Sequence, residues 1–329
     1  MKQRQIGKSG PWVDEVGFGA MSIAGTFGPA DPDVSRKALD LVFAQDHPHI
    51  DTALIYGPFT SETLIGEQLK KHPAVRKKLH LATKGGIIPT PRGLSNSAAF
   101  MRECLEGSLK RLGVDHIDLY YVHRRDHATP IEDVMHTMAG FVKEGKIRGI
   151  GLSEISPATL KRATKIHHVA AVQNEYSLWS RLPELGIIQA CKRHGTALVA
   201  FSPVGRGVFT DVVIDPAKMP ATEWRKAMPR FQPENFAFNM VYIEKFKTYA
   251  KARGLTPAAL ANAWVLAQGE HIIVIPGTRT AEHHAENMKA SDIVLSAKDL
   301  VEIESILPAG FAHGNRYSVE QQGSAEHYC

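Results

Sequence analysis

Cysteine is scarce in this chain: Cys104, Cys191 and Cys329 are its thiols. The odd count and wide spacing exclude a disulfide framework and a C-x-x-C site. Cys104 and Cys191 fall in helical patterns and are expected in or near the core. Cys329 is a terminal thiol open to reaction. No apolar run approaches a membrane span. The opening M-K-Q-R-Q-I-G-K-S-G has no apolar leader segment, so a soluble, cytoplasmic protein is expected. Charge of one sign is lacking too. Basic residues number 39 against 34 acidic, a net of +5, and they are scattered among the acids. That balance argues against a nucleic-acid partner and for a mild pull on small anions.

Several ligand motifs are missing. G-F-G-A-M-S at 17–22 lacks the third glycine of a dinucleotide fingerprint and opens no helix. G-F-V-K-E-G-K-I at 140–147 nearly matches a phosphate-binding loop, but Ile147 stands where Ser or Thr is needed. It also runs from helix to strand, the wrong order. His167–His168 and His283–His284 are adjacent pairs, and His47 with His49 has no third ligand nearby, so no metal site is expected.

What is present is a rhythm. Residues 2–13 read as a hairpin. Strand patterns then follow at 15–21, 49–52, 79–84, 117–123, 147–153, 169–174, 197–202 and 271–276. Helical patterns fall at 33–45, 61–71 (with Ser61 as N-cap), 97–112, 131–144, 157–166, 183–194, 239–253, 257–268, 282–289 and 298–307. Residues 204–239 read as irregular, and a polar tail closes the chain. Several strands are near-continuously apolar, as expected when both faces are covered. Eight strands, nearly all followed by helices, predict a closed (β/α)8 barrel of the TIM type, in the α/β class. It would occupy 1–329 as one domain, with an N-terminal hairpin and extended C-terminal loops.

In such a barrel, function sits at the C-terminal ends of the strands. That rule selects Asp51, Lys84, His123, Ser153, Gln173, Ser202 and the segment Gly277–Arg279, with Tyr56 in the loop after the second strand. Four of these make chemical sense together. A tyrosine ionises near ~10, too high for easy proton donation at neutral pH. A nearby ammonium from Lys84 would favour the phenolate and lower that value. A buried ammonium needs an anion, and Asp51 can be it. A neutral imidazole at His123 can donate to a substrate oxygen. Together they describe a proton donor beside a hydrogen bond that polarises a carbonyl. Taken singly, each residue has a plainer reading as cap, packing or surface charge; four at consecutive strand ends favour the site. Arg124, Arg125 and Asp126 sit near the barrel mouth or form a solvated charge run, and the second reading is favoured. Later in the chain, P-V-G-R-G (203–207) suits a pyrophosphate, and I-P-G-T-R (275–279) leads to a helix start suited to a phosphate monoester.

These segments resemble the aldo-keto reductase superfamily along nearly the whole chain. The resemblance rests on G-F-G-A-M, H-I-D-T-A-L-I-Y-G, T-S-E-T-L-I-G-E-Q-L, A-T-K, D-L-Y-Y-V-H and G-K-I-R-G-I-G-L-S. It continues through V-Q-N-E-Y-S, F-S-P-V-G-R-G, I-P-G-T-R and E-N-M-K-A. It implies reduction of an aldehyde or ketone with NADP(H), NADPH being preferred. Tyr56 would be the general acid/base, Lys84 and Asp51 would tune it, and His123 would orient the carbonyl. Ser153 and Gln173 would hold the nicotinamide carboxamide, with Phe201 stacking on the ring. Ser202, Pro203, Gly205, Arg206 and Gly207 would follow the pyrophosphate. Thr278, Arg279 and His283 would meet the 2′-phosphate, beside Gly277, which offers no side chain. Glu286 and Asn287 would meet the adenine. Gly19, Ala20 and Met21 complete the cofactor set.

Two departures stand out: Glu154 where many members have Asn, and Phe201 where many have Tyr. The substrate would be a small carbonyl compound chosen by residues 23–30, 204–239 and 309–329. Trp179, Trp224, Phe231 and Tyr317 line an apolar pocket there, pack as core or cover the surface. Two other readings remain open: a cofactor-binding regulatory protein with little turnover, and a lyase with a Schiff base on Lys84.

Overall fold

The computed structural model describes residues 1–221 and 223–327; Cys329, expected to be a reactive terminal thiol, lies outside them. Eight parallel strands form one sheet. They are β1 (Phe18–Gly19), β2 (His49–Asp51), β3 (His80–Gly85), β4 (Ile117–Val122), β5 (Ile147–Ser153), β6 (Ala171–Glu175), β7 (Ala197–Phe201) and β8 (Ile272–Ile275). Neighbours in space are neighbours in sequence. The ring closes where β1 meets β8, through bridges Val16–Val274 and Gly19–Gly277. The expected (β/α)8 barrel is the fold.

Helices α1 (Pro32–Ala44), α2 (Thr60–Lys71), α3 (Ala98–Leu112), α4 (Ile131–Lys143), α5 (Pro157–Ala163) and α6 (Ile187–His194) follow the first six strands. After β7 come α7 (Pro233–Ala252) and α8 (Pro257–Leu266), and after β8 come α9 (Ala281–Met288) and α10 (Ala297–Ile306).

Alternation explains the layers. Side chains along a strand point to opposite faces. Leu81, Tyr120, Val122, Ile150, Leu152, Val172, Leu198 and Val274 point outward into the apolar layer shared with the helices. Ala82, Leu119, Tyr121, Ala171, Val199 and Ile273 point inward and fill the barrel with a second, smaller core. Ile6 and Val13 join that inner core. They come from the N-terminal hairpin, whose strands Gln3–Gln5 and Trp12–Asp14 pair antiparallel and floor the barrel.

Some local expectations need correction. Ser61 does not cap α2; Phe59, in a left-handed conformation, holds that position. The Ser61 hydroxyl is buried and donates to the Ala20 carbonyl at 3.0 Å. The pattern at 183–194 is broken by Gly186, whose φ of 145° separates a 3₁₀ turn from α6. Helix α7 starts at Pro233, six residues early, because proline suits a first helical turn. Trp179 and Phe231 are core, edge to face at 5.7 Å.

The polar tail is not loose. Phe311, Tyr317 and Ala325 are buried. Arg316 pairs with Glu154 and, at 3.0 Å, with Glu175. Arg206 also holds Glu175, at 2.6 Å. Glu326 accepts from the Ser156 backbone N–H at 2.8 Å and lies 3.5 Å from Arg125. The expected solvated run 124–126 is therefore a correction too. Arg125 is buried in this latch, and Asp126 accepts from the Ala128 backbone at 3.0 Å. Burial alone would raise the Glu175 carboxyl, but Arg206 and Arg316 outweigh it and hold it down at about 2.

Two predictions follow from packing and charge. Gly66 in α2 faces α3 so closely that a Cβ would overlap the Arg111 carbonyl, whereas a Cβ on Gly140 in α4 meets nothing. Chemical denaturation should show Gly66→Ala losing about 1–3 kcal/mol and Gly140→Ala gaining about 0.5–1 kcal/mol. For the latch, a depressed carboxyl contributes stability that is complete above its unfolded value, near 4.5, and lost as the pH falls through about 2. Glu175→Gln should cost about 3–5 kcal/mol at pH 7. Urea unfolding between pH 7 and pH 2.5 should show that gap shrinking; a constant gap refutes the ionised latch.

Candidate active site

The inward row of each strand, extended by one step of two residues, delivers the site. After Ala82 comes Lys84, after Tyr121 comes His123, after Ala171 comes Gln173, and after Val199 comes Phe201. Asp51 ends β2 one layer lower, paired in register with Ala82. The mouth therefore collects polar side chains above an apolar plug.

Lys84 is fully buried. Its ammonium donates to Asp51 Oδ1, to the Thr52 carbonyl at 2.8 Å and to the Tyr56 hydroxyl at 3.2 Å. Gln173 Nε2 donates to the other Asp51 oxygen at 2.7 Å. Tyr56 enters from a tight turn in which Gly57 and Phe59 both take positive φ. A Cβ at Gly57 would come within 2.9 Å of Ala24 and Thr60, so glycine is required there. The Tyr56 ring meets the His123 ring edge to face at 5.9 Å. The structure thus brings Asp51, Tyr56, Lys84 and His123 together.

The electrostatics modify the expectation for Tyr56. Burial is the largest influence and raises the phenol above its ordinary value of 10.0; Lys84 pulls it down without prevailing. Burial likewise opposes the Lys84 charge, but Asp51 and Tyr56 overcome it and hold the ammonium above 10.5. His123 is pushed well below 6.5, first by burial, then by the charges of Arg124, Lys84 and Arg92. The set at neutral pH is a protonated phenol, a charged lysine and a neutral imidazole. His123 Nδ1 is buried without a partner among the described residues.

The other expected residues divide. Ser153 and Gln173 lie in register on β5 and β6, and the Ser153 hydroxyl donates to the Gln173 carbonyl at 3.0 Å. Phe201 is half-buried at the mouth. Gly19 and Gly277 touch across the closing seam, where a Cβ on Gly19 would come within 2.6 Å of the Ile275 carbonyl. Ala20 donates its N–H to Asp51 O at 2.9 Å, and Met21 O accepts from Thr26 at 3.1 Å. Thr278 and Asn287 are buried, Glu286 is half-buried and His283 is exposed beside the Thr280 cap of α9. Arg279 reaches the carbonyls of Phe27 and Gly28 at 3.0 and 3.2 Å, tying this helix start to the 23–30 loop.

Arg206 is the residue that goes elsewhere. It was expected along a pyrophosphate, but its guanidinium turns inward to Glu175 and lies over the Trp224 ring at 4.7 Å. Ser202, Gly205 and Gly207 bend the backbone around it with positive φ, Pro203 lying within the turn. Gly205 and Gly207 donate their N–H groups to Ser202 and Val204. Glu154, the departure noted above, faces the tail: it accepts from the Glu175 backbone at 2.8 Å and pairs with Arg316.

Sequence reasoning allows a place near the mouth for Arg124 but favours solvated charge. Arg124 donates to the carbonyl of His123 at 2.7 Å, the hydroxyl of Ser153 at 2.9 Å and the hydroxyl of Tyr317 at 3.2 Å. Its position directly after His123, at a strand end, was the available signal; the charged neighbours Arg125 and Asp126 masked it. Among the described residues no cluster of three or more His, Cys, Asp or Glu could hold a metal ion, and no helix is long and apolar enough to cross a membrane.

Residues 15–308 match the model of the Aldo/keto reductase family. A probable aldo-keto reductase of Glycine max is 40% identical over 320 residues, covering 95% of this chain and 91% of the relative. The NADP(+) aldo-keto reductase yakc of Schizosaccharomyces pombe is 37% identical over 321 residues, covering 95% and 94%. Among solved structures, the glycerol dehydrogenase AKR11B4 of Gluconobacter oxydans superposes with a TM-score of 0.83 at 27% identity, covering 93% of this chain and 94% of that one. The holo form of the aldo-keto reductase AKR11C1 of Bacillus halodurans gives 0.72 at 25% identity, covering 94% and 97%. Such likeness over nearly the full length goes beyond shared architecture, and the chain belongs to the aldo/keto reductase family.

Proposed function

We propose that this oxidoreductase reduces an aldehyde or ketone to an alcohol with NADPH, using Asp51, Tyr56, Lys84 and His123. The observation that carries the reading is the Lys84 ammonium, bonded at once to Asp51 and to the Tyr56 hydroxyl inside the mouth. Tyr56 holds the proton to be given to the carbonyl oxygen. Lys84 stabilises the phenolate left behind, because a fixed positive charge favours the ionised form. Asp51 keeps Lys84 charged, and Gln173 fixes Asp51. The neutral His123 donates a hydrogen bond that draws charge onto the same oxygen. A lysine so charged and paired is not the free amine that a Schiff base needs.

The residues present fit the cofactor. Phe201 offers a ring face for stacking, beside Ser153 and Gln173 for an amide. The α9 helix starts beside Arg279 and His283, suited to a phosphate. When bound, the cofactor supplies the hydride for the carbonyl carbon. Arg206 supports the latch instead of a phosphate in this reading. The NADP(+) relative from fission yeast agrees with the cofactor.

Tyr56→Phe should lower kcat by about 10²–10⁴-fold with a reactive aromatic aldehyde, while NADPH still quenches protein fluorescence. A wild-type rate in that variant removes the acid assignment. NADPH should bind more tightly than NADH, and Arg279→Met should shrink the difference by roughly 10-fold or more; equal binding of the two cofactors removes the phosphate site. Because His123 is pushed well below 6.5 while Tyr56 is raised above 10.0 and Lys84 above 10.5, kcat for reduction should be flat from pH 7 to pH 9. A steady-state pH profile with a midpoint inside that window contradicts the assigned protonation states.

A further inference from the structure

We infer that the carbonyl substrate carries an anionic group, a carboxylate or a phosphate ester, held by Arg124 at the β4 side of the barrel mouth, with Arg92 at the rim. This deepens the reductase reading above and rests on it for the position of the carbonyl.

Arg124 is a half-buried guanidinium beside His123, and the oxygens it meets, His123 O, Ser153 Oγ and Tyr317 OH, are all neutral. None of these ion-pairs with it. The carboxylates nearby are committed elsewhere. Asp126 accepts from backbone N–H groups of Asn96 and Ala128. Glu154 pairs with Arg316, and Glu175 pairs with both Arg316 and Arg206. Among the described residues Arg124 therefore has no compensating anion. A guanidinium is costly to desolvate without one, and its planar fork matches a carboxylate or phosphate.

Its surroundings add to the field. Arg92 is exposed in the short hairpin after β3, and it acts on His123 together with Arg124 and Lys84. Lys84 is balanced by Asp51. The surplus positive charge beside the proton donor is thus that of Arg124 and Arg92.

The cofactor phosphates do not account for it. The segments suited to them follow β7 and β8, and in the ring β7 and β8 lie three or more strands from β4. Arg92 stands in the hairpin after β3, and the Arg124 guanidinium reaches inward from β4 to Ser153 and to within 5.9 Å of the Phe201 ring centre, which is the end of the site assigned to the nicotinamide and not to the phosphates. A carbonyl placed between Tyr56 and His123 would have its remaining substituents within the reach of Arg124. Tyr317 from the docked tail closes over the same guanidinium.

The test uses matched substrate pairs with NADPH: 4-carboxybenzaldehyde against its methyl ester, and glyceraldehyde 3-phosphate against glyceraldehyde. Wild-type protein should favour the charged member in kcat/KM by roughly 10- to 100-fold, as charged hydrogen bonds allow. Preference within the first pair alone names a carboxylate, and within the second alone a phosphate. Arg124→Met should collapse the ratio toward unity, and Arg124→Lys should restore part of it. Arg92→Gln should reduce the ratio several-fold, and it carries the test if circular dichroism shows that Arg124→Met is unfolded. No preference for the anion in either pair overturns the inference. So does a ratio that Arg124→Met leaves unchanged, since Arg124 would then only brace Ser153 and Tyr317.

If no aldehyde is turned over, the reductase reading fails on its own. The anion site is then read by tryptophan fluorescence with benzoate and inorganic phosphate. Binding that Arg124→Met weakens roughly 10-fold or more supports it, and absence of binding overturns it.

Discussion

Side chains alternate across a strand, and everything in this protein depends on what happens when eight strands close under that rule. The outward rows meet helices and are apolar for that reason. The inward rows have no water below the mouth and must fill the barrel with Ala82, Leu119, Tyr121, Val199 and their neighbours. Space is limited: a Cβ on Gly151 would run into the Tyr121 ring. One step further along the same rows, the ring opens and polar groups become affordable. Lys84, His123, Ser153 and Gln173 are there because they are next in the inward row.

At that level the charges arrange themselves by partner. Lys84 is fully buried and has an anion and two further acceptors. Removing a partner from so buried an ion would leave an uncompensated charge, so Asp51 is needed for the fold of the mouth as well as for chemistry. A second system, Glu154 and Glu175 with Arg206 and Arg316, joins β5 and β6 to the loop after β7 and to the tail. Tyr317 links the two through Arg124. The tail is thus part of the mouth's wall.

Much of this was legible in the sequence. Eight apolar strand patterns separated by helical ones described the ring, and their C-terminal ends named Asp51, Lys84 and His123. Tyr56 was legible because Gly57 marks a turn directly after it. Other features depended on contacts distant in sequence. Arg206 looked like a phosphate ligand between two glycines, until Glu175 was found beneath it. Ser61 looked like a cap, but the adjacent β1 segment takes its hydroxyl. Arg124 and Arg125 looked like solvated charge, because nothing in the local pattern shows Ser153, Tyr317 or Glu326 arriving to meet them.

By itself the sequence determined the periodicity: which residues alternate, where strands end, and so which polar groups stand at the open end of a barrel. Those follow from local geometry, which repeats every two or 3.6 residues and needs no distant partner. The tertiary structure alone decided which charges are neutralised. An ion pair between Arg316 and Glu154 joins residues 162 positions apart, and its formation depends on where the tail docks. It also decided the protonation states. Burial, which raises Tyr56 and lowers His123, is a property of everything packed around a group and is not written in its neighbours along the chain.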